Sequence, residues 1–369
     1  MKSIIIAFLF IPLFGYANDG AFFISGNQLI PIQESDISIS KEVLTISLDG
    51  DSFANVIVEY EFFNPKEEKT ILMGFEAMSP SGDVDGTPIN GKHPFMYNFT
   101  VLLNNQNLKY NTAIVRDSNY YKNGKVTSVR KEVEANKEGG NYPEFYYVYY
   151  FNAKFQKGIN KIKHTYRIKL SSSVIEIYSF DYVLTAANRW ANKQIDDFTL
   201  VLNLNNNDQV QLFNTFFDSS KQWEFDGISE VIPATDPDYP PFTKRIMFYL
   251  STGKMVFQKK NFHPKGELRL SYPTYDYMNE PFDTFDFRKH DLKYGFIYSQ
   301  WLKNSIDLKS YKILRNLPYA KRGFVFKTKY IQEYYESLPW YKMDKEYIAS
   351  LDDLNFKELE WLRNLKPTK

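Results

Sequence analysis

From Asn18 to about Pro273 the apolar positions recur every second residue. Val56, Val58, Tyr60 and Phe62 alternate with Ile57, Glu59 and Glu61, which predicts a strand with one dry face and one wetter face. Asn64-Pro65 ends it, because proline cannot donate to a ladder. The same period predicts strands at Glu42–Leu48, Thr70–Ala77, Phe99–Leu103, Asn160–Leu170, Val174–Leu184, Phe198–Leu204, Ile246–Leu250, Met255–Gln258 and Glu267–Ser271. The strongest is Glu144–Phe155, where Phe145, Tyr147, Tyr149 and Phe151 face one way and Tyr146, Val148 and Tyr150 the other. A strand apolar on both sides is expected to be covered on both sides; the competing reading is an exposed aromatic strip that stacks on sugar rings. Asp49-Gly50, Asn64-Pro65 and Asn104-Asn105 are turn signals between the early strands. Many short strands with frequent turns predict an antiparallel sandwich or two packed sheets. Strand–helix–strand alternation and a repeat of fixed period are both missing from the pattern. Two polar stretches, Asp117–Pro143 and Asp226–Pro241, read as long loops; Thr235-Asp236-Pro237-Asp238-Tyr239-Pro240-Pro241 cannot hold a ladder.

Beyond about Ser305 the period changes to that of helices. Asp307 is placed to cap a helix whose stripe is Leu308, Tyr311, Leu314 and Leu317. Pro318 should break or kink it near Leu317, and Gly323 fits the left-handed position past a helix end. A second helix is predicted from Lys329 to about Ser337, capped by Thr328, with Tyr330, Ile331, Tyr334 and Leu338 inward. A third starts after Asn355, where Asn355 and Glu358 have capping-box spacing, with Phe356, Leu359, Leu362 and Leu365 inward. Tyr275 to about Asn304 is aromatic and charged without clean period. The resulting fold class is multi-domain α and β. A mainly antiparallel, sandwich-like β domain (18–273) is followed by a connecting segment (274–304) and a small helical module (305–369).

Residues 1–17 read as a secretory leader. Lys2 supplies its charge, Ile4–Phe14 its apolar run, and Gly15-Tyr16-Ala17 the small residues of a cleavage site after Ala17. The run is short of the ~20 residues that span a bilayer, and Pro12 interrupts it. No later segment is apolar enough to span, so the mature chain is expected outside the cytoplasm, in the periplasm or beyond, without a transmembrane segment.

Composition narrows the chemistry. Aromatic residues make up 17%, with 28 Tyr and 31 Phe, which favours strands. A net charge of +1 lacks the electrostatic footprint of a nucleic-acid binder. The absence of cysteine removes disulfides, thiolate metal sites and thiol nucleophiles. His93, His164, His263 and His290 include no pair at helical metal spacing and read as structural or surface residues. No phosphate loop, nucleophile elbow or dinucleotide fingerprint occurs. Glu59/Glu61, Asp83/Asp85, Asp236/Asp238 and Asp283/Asp286 are acid pairs; the first is read as a wet strand face, and Asp83-Val84-Asp85-Gly86 lacks the glutamate that completes a calcium loop. No catalytic residue, metal site or cofactor is assigned.

The stretch Leu314-Arg315-Asn316-Leu317-Pro318-Tyr319-Ala320-Lys321-Arg322-Gly323-Phe324-Val325-Phe326-Lys327, followed by Leu338-Pro339-Trp340-Tyr341, resembles the YARHG domain of secreted bacterial proteins. That family is named for a Tyr-Ala-Arg-His-Gly core, which reads Tyr319-Ala320-Lys321-Arg322-Gly323 here. If the family's histidine did proton chemistry, this chain has lost it, since arginine stays charged. The resemblance gives a candidate binding set of Tyr319, Lys321, Arg322, Gly323, Trp340 and Tyr341. One reading makes Tyr319, Lys321 and Arg322 an exposed recognition patch. The other packs the tyrosine under the helix and sets the basic residue on carbonyls at the helix end. Asn18-Asp19-Gly20, Ser25-Gly26-Asn27-Gln28-Leu29-Ile30-Pro31, Glu61-Phe62-Phe63-Asn64-Pro65 and Leu72-Met73-Gly74-Phe75-Glu76 resemble an uncharacterised secreted family, domain of unknown function 4424, over roughly residues 18–270. The leading expectation is a non-catalytic secreted protein that binds or docks to an envelope polymer or envelope protein. The rivals are an envelope hydrolase, acting on glycan or peptide with acids or Ser/Thr of the β-domain loops, and a structural partner in a larger assembly.

Overall fold

The computed structural model describes residues 22–23, 28–32, 36–138, 143–204, 209–226, 229–234, 245–250, 254–273, 285–290, 292, 306–338, 340–354 and 356–367. The expected leader with its expected cleavage site, Thr235–Pro241, most of the expected connecting segment, Pro339 and Asn355 lie outside them. In chain order the strands are β1 (Phe22–Phe23), β2 (Gln28–Pro31), β3 (Ser38–Asp49), β4 (Phe53–Asn64), β5 (Lys69–Met78), β6 (Ser81–Gly82), β7 (Met96–Leu103), β8 (Gln106–Asn107), β9 (Asn111–Val115), β10 (Tyr121–Lys122) and β11 (Lys125–Val126). After helix α1 (Arg130–Ala135) come β12 (Tyr146–Phe155), β13 (Gly158–Lys169), β14 (Glu176–Tyr182), β15 (Ile195–Asn203), β16 (Gln209–Phe213), β17 (Trp223–Asp226), β18 (Ser229–Ala234), β19 (Arg245–Leu250), β20 (Lys254–Phe262) and β21 (Leu268–Pro273). Three helices close the chain: α2 (Leu308–Ala320), α3 (Lys329–Glu336) and α4 (Phe356–Asn364). The fold class is the expected one: mainly antiparallel sheet, then a helical C-terminal region.

The strands make an eight-stranded sheet in the order β17-β20-β15-β3-β4-β13-β7-β8, a four-stranded sheet β2-β5-β12-β9, and a five-stranded sheet β14-β21-β16-β19-β18. Two short pairs, β1-β6 and β10-β11, complete the set. Pairing is antiparallel in these sheets except between β15 and β3. The alternation read from β4 holds: Val56, Val58, Tyr60 and Phe62 are buried in the core, while Glu59 and Glu61 point outward and pair with Lys163 (3.1 Å) and Lys161 (3.2 Å) of the neighbouring strand. Such exposed pairs add little stability, and they account for this acid pair as a wet face.

A β-bulge between Ile39 and Lys41 shifts the phase of β3. It brings Glu42 onto the inner face, directly across from Tyr60. Two seams follow from ring and hydroxyl contacts. Phe75 of β5 lies 5.4 Å from His164 and 5.1 Å from Tyr166 of β13, between ring centres, joining the four- and eight-stranded sheets. The Tyr60 and Tyr182 hydroxyls meet at 3.1 Å, joining the eight- and five-stranded sheets. On β12, Tyr147, Tyr149 and Phe151 belong to the main core, and Val148 to a smaller cluster with Ala113, Val115 and Tyr120 on the other face. Both faces of this strand are therefore covered.

Asp117–Pro143 differs from the expected loop. It holds the β10–β11 hairpin and α1, with Val133 fully buried and Arg116 gathering Glu132 (2.9 Å) and Glu138 (3.0 Å). Elements this short fall below the length at which period can be read.

The buried titratable groups set a pH dependence. Burial raises the Glu42 carboxyl to about 8, against opposing hydrogen bonds with Tyr182 and Tyr60. An unfolded glutamate titrates near 4.5. Between these values the folded chain keeps a proton the unfolded chain releases, so stability falls as pH rises from 4.5 to about 8. Burial lowers His164 to about 3 and His93 to about 4, so the stability they leave intact above 6.5 is lost as pH falls toward those values. The melting temperature should peak near pH 6.5. Glu42→Gln should flatten its alkaline arm and His164→Leu should shallow its acid arm. Parallel profiles for wild type and Glu42→Gln would show that Glu42 is not the group responsible.

Candidate functional site

The C-terminal helices have a core of their own, in which Ile313, Leu314, Leu317, Ile331, Tyr335, Trp340, Trp361 and Leu365 are buried. Asp307 caps α2 as its position predicts, its Oδ1 accepting from the Lys309 (3.0 Å) and Ser310 (3.2 Å) amides. Of the kink or break expected near Leu317, the break is not there: α2 runs through Pro318 to Ala320. Proline removes the amide that would have bonded the carbonyl four residues back, and that carbonyl belongs to Leu314. Trp361 of α4 supplies the missing donor, its indole Nε1 giving to Leu314 O at 3.1 Å. The Tyr335 hydroxyl donates to the neighbouring Ile313 O at 2.6 Å. Tyr335, not Tyr334, is the most buried tyrosine of α3, and Thr328 makes no side-chain cap.

Past α2 the chain turns at Gly323, whose φ is +82°. A Cβ here would stand 2.5 Å from Lys342 O and 2.8 Å from the Asp344 amide, so the position admits only glycine without rearrangement. Gly323 O accepts from that Asp344 amide at 2.9 Å. Arg322 directs its guanidinium inward. Nη1 donates to Pro318 O (2.8 Å) and Glu358 Oε1 (2.9 Å), and Nη2 to Glu358 Oε2 (2.9 Å) and Asp353 O (2.5 Å). Burial works to lower its pKa, but the Glu358 carboxylate prevails and holds it above the usual arginine value. Tyr319 is half-buried and packs 6.5 Å from the Phe324 ring, while Lys321 is half-buried with a partner of its own. The Trp340 indole donates to Leu292 O (2.7 Å) and the Tyr341 hydroxyl to Phe324 O (2.7 Å).

Two of these contacts fasten one loop, 342–354. Gly323 holds its start at Asp344, and Arg322 its end at Asp353. Inside the loop, Asp353 Oδ2 accepts from the Tyr347 hydroxyl (2.7 Å) and the Ser350 amide (3.0 Å), which keeps the Asp353 carboxyl below its usual range. A loop so tied down nevertheless exposes large apolar side chains: Ile348 at 86%, Leu351 at 62% and Met343 at 52%. The sequence reading missed these three. Their signal was Tyr347-Ile348-Ala349 standing outside any helical or strand period. Among the described residues no group of three or more His, Asp or Glu could hold a metal ion, and no helix is long and apolar enough to cross a membrane.

Arg322→Ala should destabilise the helical region by about 3–5 kcal/mol, because it strands the Glu358 carboxylate. Pairing Arg322→Met with Glu358→Leu should cost much less. Gly323→Ala should cost at least about 1–2 kcal/mol from its left-handed backbone alone. Hydrogen exchange of the α2 amides measures each; equal losses for Arg322→Ala and the double variant would refute the clamp.

Comparison with known proteins bears on both parts of the chain. No curated protein matches the sequence. A candidate nutrient-binding protein of Legionella pneumophila is similar in structure, at 17% identity and a TM-score of 0.44, over 94% of this chain and 99% of that one. An M1 zinc metallopeptidase of Deinococcus radiodurans aligns at 8% identity and TM-score 0.25 over 64% of this chain and 43% of its own. Baculovirus P35 aligns at 10% and 0.26 over 64% and 97%. Scores this low carry no argument about activity. The YARHG domain matches residues 300–368, the segment that contains the Arg322 clamp and the loop it fastens.

Proposed function

We propose that this is an exported, non-catalytic protein of the bacterial envelope, whose helical module docks to an envelope protein through loop 342–354. On this reading residues 1–17 are a leader removed after Ala17. Residues 18–273 form the body, taken as a member of domain of unknown function 4424 over roughly residues 18–270; 274–304 connect it to the module at 305–369. The observation that carries the docking role is the exposure of Ile348, Leu351 and Met343 on a loop fixed at both ends. Apolar side chains on a loop whose backbone is already fixed cost less order when a partner covers them than they would on a free one. Of Tyr319, Lys321, Arg322, Gly323, Trp340 and Tyr341, it is Arg322 and Gly323 that then serve binding by fastening the loop. Aliphatic side chains suit the apolar surface of a protein better than a glycan, which asks for aromatic stacking and hydrogen bonds.

The mature chain, immobilised and exposed to a detergent extract of its native envelope, should retain partners that an Ile348→Asp, Leu351→Asp variant does not. Both substituted positions are exposed, so the variant should melt with the wild type. Equal retention by a variant that melts normally would overturn the docking role.

A further inference from the structure

The outer face of the eight-stranded sheet alternates with the buried one along β4 and β13. The antiparallel register sets Phe63 across from Ile159, Glu61 across from Lys161, Glu59 across from Lys163 and Ile57 across from Thr165. Residues paired in this way share a face. One strand therefore carries the acids and its neighbour the bases, at matching heights. The flanking strands continue the rows: Val43 of β3 lies beside Glu59, and Leu102 of β7 beside Lys163. Phe63 and Ile159 are 43% and 51% exposed, and Val43, Ile57 and Leu102 are half-buried.

Such a face is complementary to itself. A two-fold axis running along the strands, midway between β4 and β13, turns a second copy over so that its β4 lies on the first copy's β13. Glu59 and Glu61 of each copy then stand over Lys163 and Lys161 of the other, Phe63 over Ile159, and Val43 over Leu102. Arg167, in register with Asn55, meets that asparagine, and Lys41, beside Glu61, falls over the turn at Asn104, so like charges do not face each other. A two-fold axis across the strands instead lays β4 on β4, whose outer face from Phe53 to Phe63 carries no base. Within one copy Glu59 and Lys163 lie 3.1 Å apart, and Glu61 and Lys161 3.2 Å. These pairs leave capacity to spare, since an ammonium has three donors and a carboxylate about four acceptor positions. In the dimer each pair becomes half of a square of alternating charge.

We propose that the outer face of β3, β4, β13 and β7 is a dimer interface, occupied by a second copy of this chain related by the axis along the strands. The apolar rows supply affinity, and the charged rows set register and choice of partner. Sheets packed face to face keep their strands within about 30° of each other, as this axis requires. The contact is isologous and closes at two copies. Four strands at ~4.8 Å and ten residues at ~3.4 Å cover roughly 650 Å² per copy. Counted on both copies, that reaches the lower end, about 1,200 Å², of specific interfaces.

The interface lies in the β body and does not depend on docking by loop 342–354. Sedimentation velocity of the full mature chain over a concentration series tests it. The wild type should sediment as a concentration-dependent dimer. Glu59→Lys with Glu61→Lys, and Lys161→Glu with Lys163→Glu, should each raise the dissociation constant at least about tenfold. Mixed together, the two variants should form a heterodimer, because the bases of one then face the acids of the other on both strands. All four reversals in one chain should restore the homodimer. Ile159→Asp leaves the four charges in place but sets an acid over Phe63; it should also dissociate the dimer, and it carries the test should a reversed variant not fold. Ile348→Asp with Leu351→Asp should leave the dimer intact, which separates this interface from the docking loop. The proposal fails if the wild type stays monomeric, if the dimer survives the reversals or Ile159→Asp, if the reversed variants do not pair when mixed, or if the loop variant loses the dimer.

Discussion

The left-handed turn at Gly323 decides where everything after α2 can go. Its carbonyl reaches the Asp344 amide only because no Cβ stands between the turn and the Lys342 carbonyl. With the turn in place, the neighbouring Arg322 meets Glu358 and the Asp353 carbonyl together. The positive charge that a linear reading offers as a recognition group is spent inside the fold. Here a planar fork with two parallel bonds suits a carboxylate better than an imidazole could. The surface left for a partner is the loop that the turn and the clamp hold.

A small helical unit must find stability somewhere, since three short helices bury little. This one draws it from aromatic side chains that combine bulk with a donor. Trp361 and Tyr335 reach the carbonyls around Pro318, Trp340 reaches Leu292, and Tyr341 reaches Phe324. Each of these bonds ends on a backbone carbonyl. Proline inside α2 is tolerated for the same reason: the acceptor it orphans is served from another helix.

What the sequence makes legible follows from the range of the forces that write it. The alternation of β4 and the two-sided apolar strand β12 are local, and both are found where period places them. So is the glycine past α2. The continuity of α2 was not legible, because the donor that rescues Leu314 O is 47 residues away at Trp361. The parallel pairing of β3 with β15 joins segments far apart in the chain, and period is silent on strand direction. The β10–β11 hairpin was legible but unread: Asn123-Gly124, both at positive φ, is a strong two-residue turn signal. Of the candidate site, the fastening residues stood in a recognisable motif, whereas Ile348 and Leu351 stood in no pattern.

Buried polar groups in the β body fall into two kinds, and their surroundings separate the consequences. His164 is fully buried with neither ring nitrogen paired among the described residues, and the rings of Tyr60 and Phe75 lie 5.8 and 5.4 Å from its own. An aromatic enclosure offers no ligand atom and no obvious way in, so the cost of His164 can be expressed only through its proton, as sensitivity to acid. Ser179 and Gln211 carry the same kind of deficit, but beside Arg269 and Asp181, whose side chains reach solvent. The same defect of hydrogen bonding is thus enclosed by hydrophobic rings at His164 and adjoins a partly exposed ion cluster at Ser179 and Gln211.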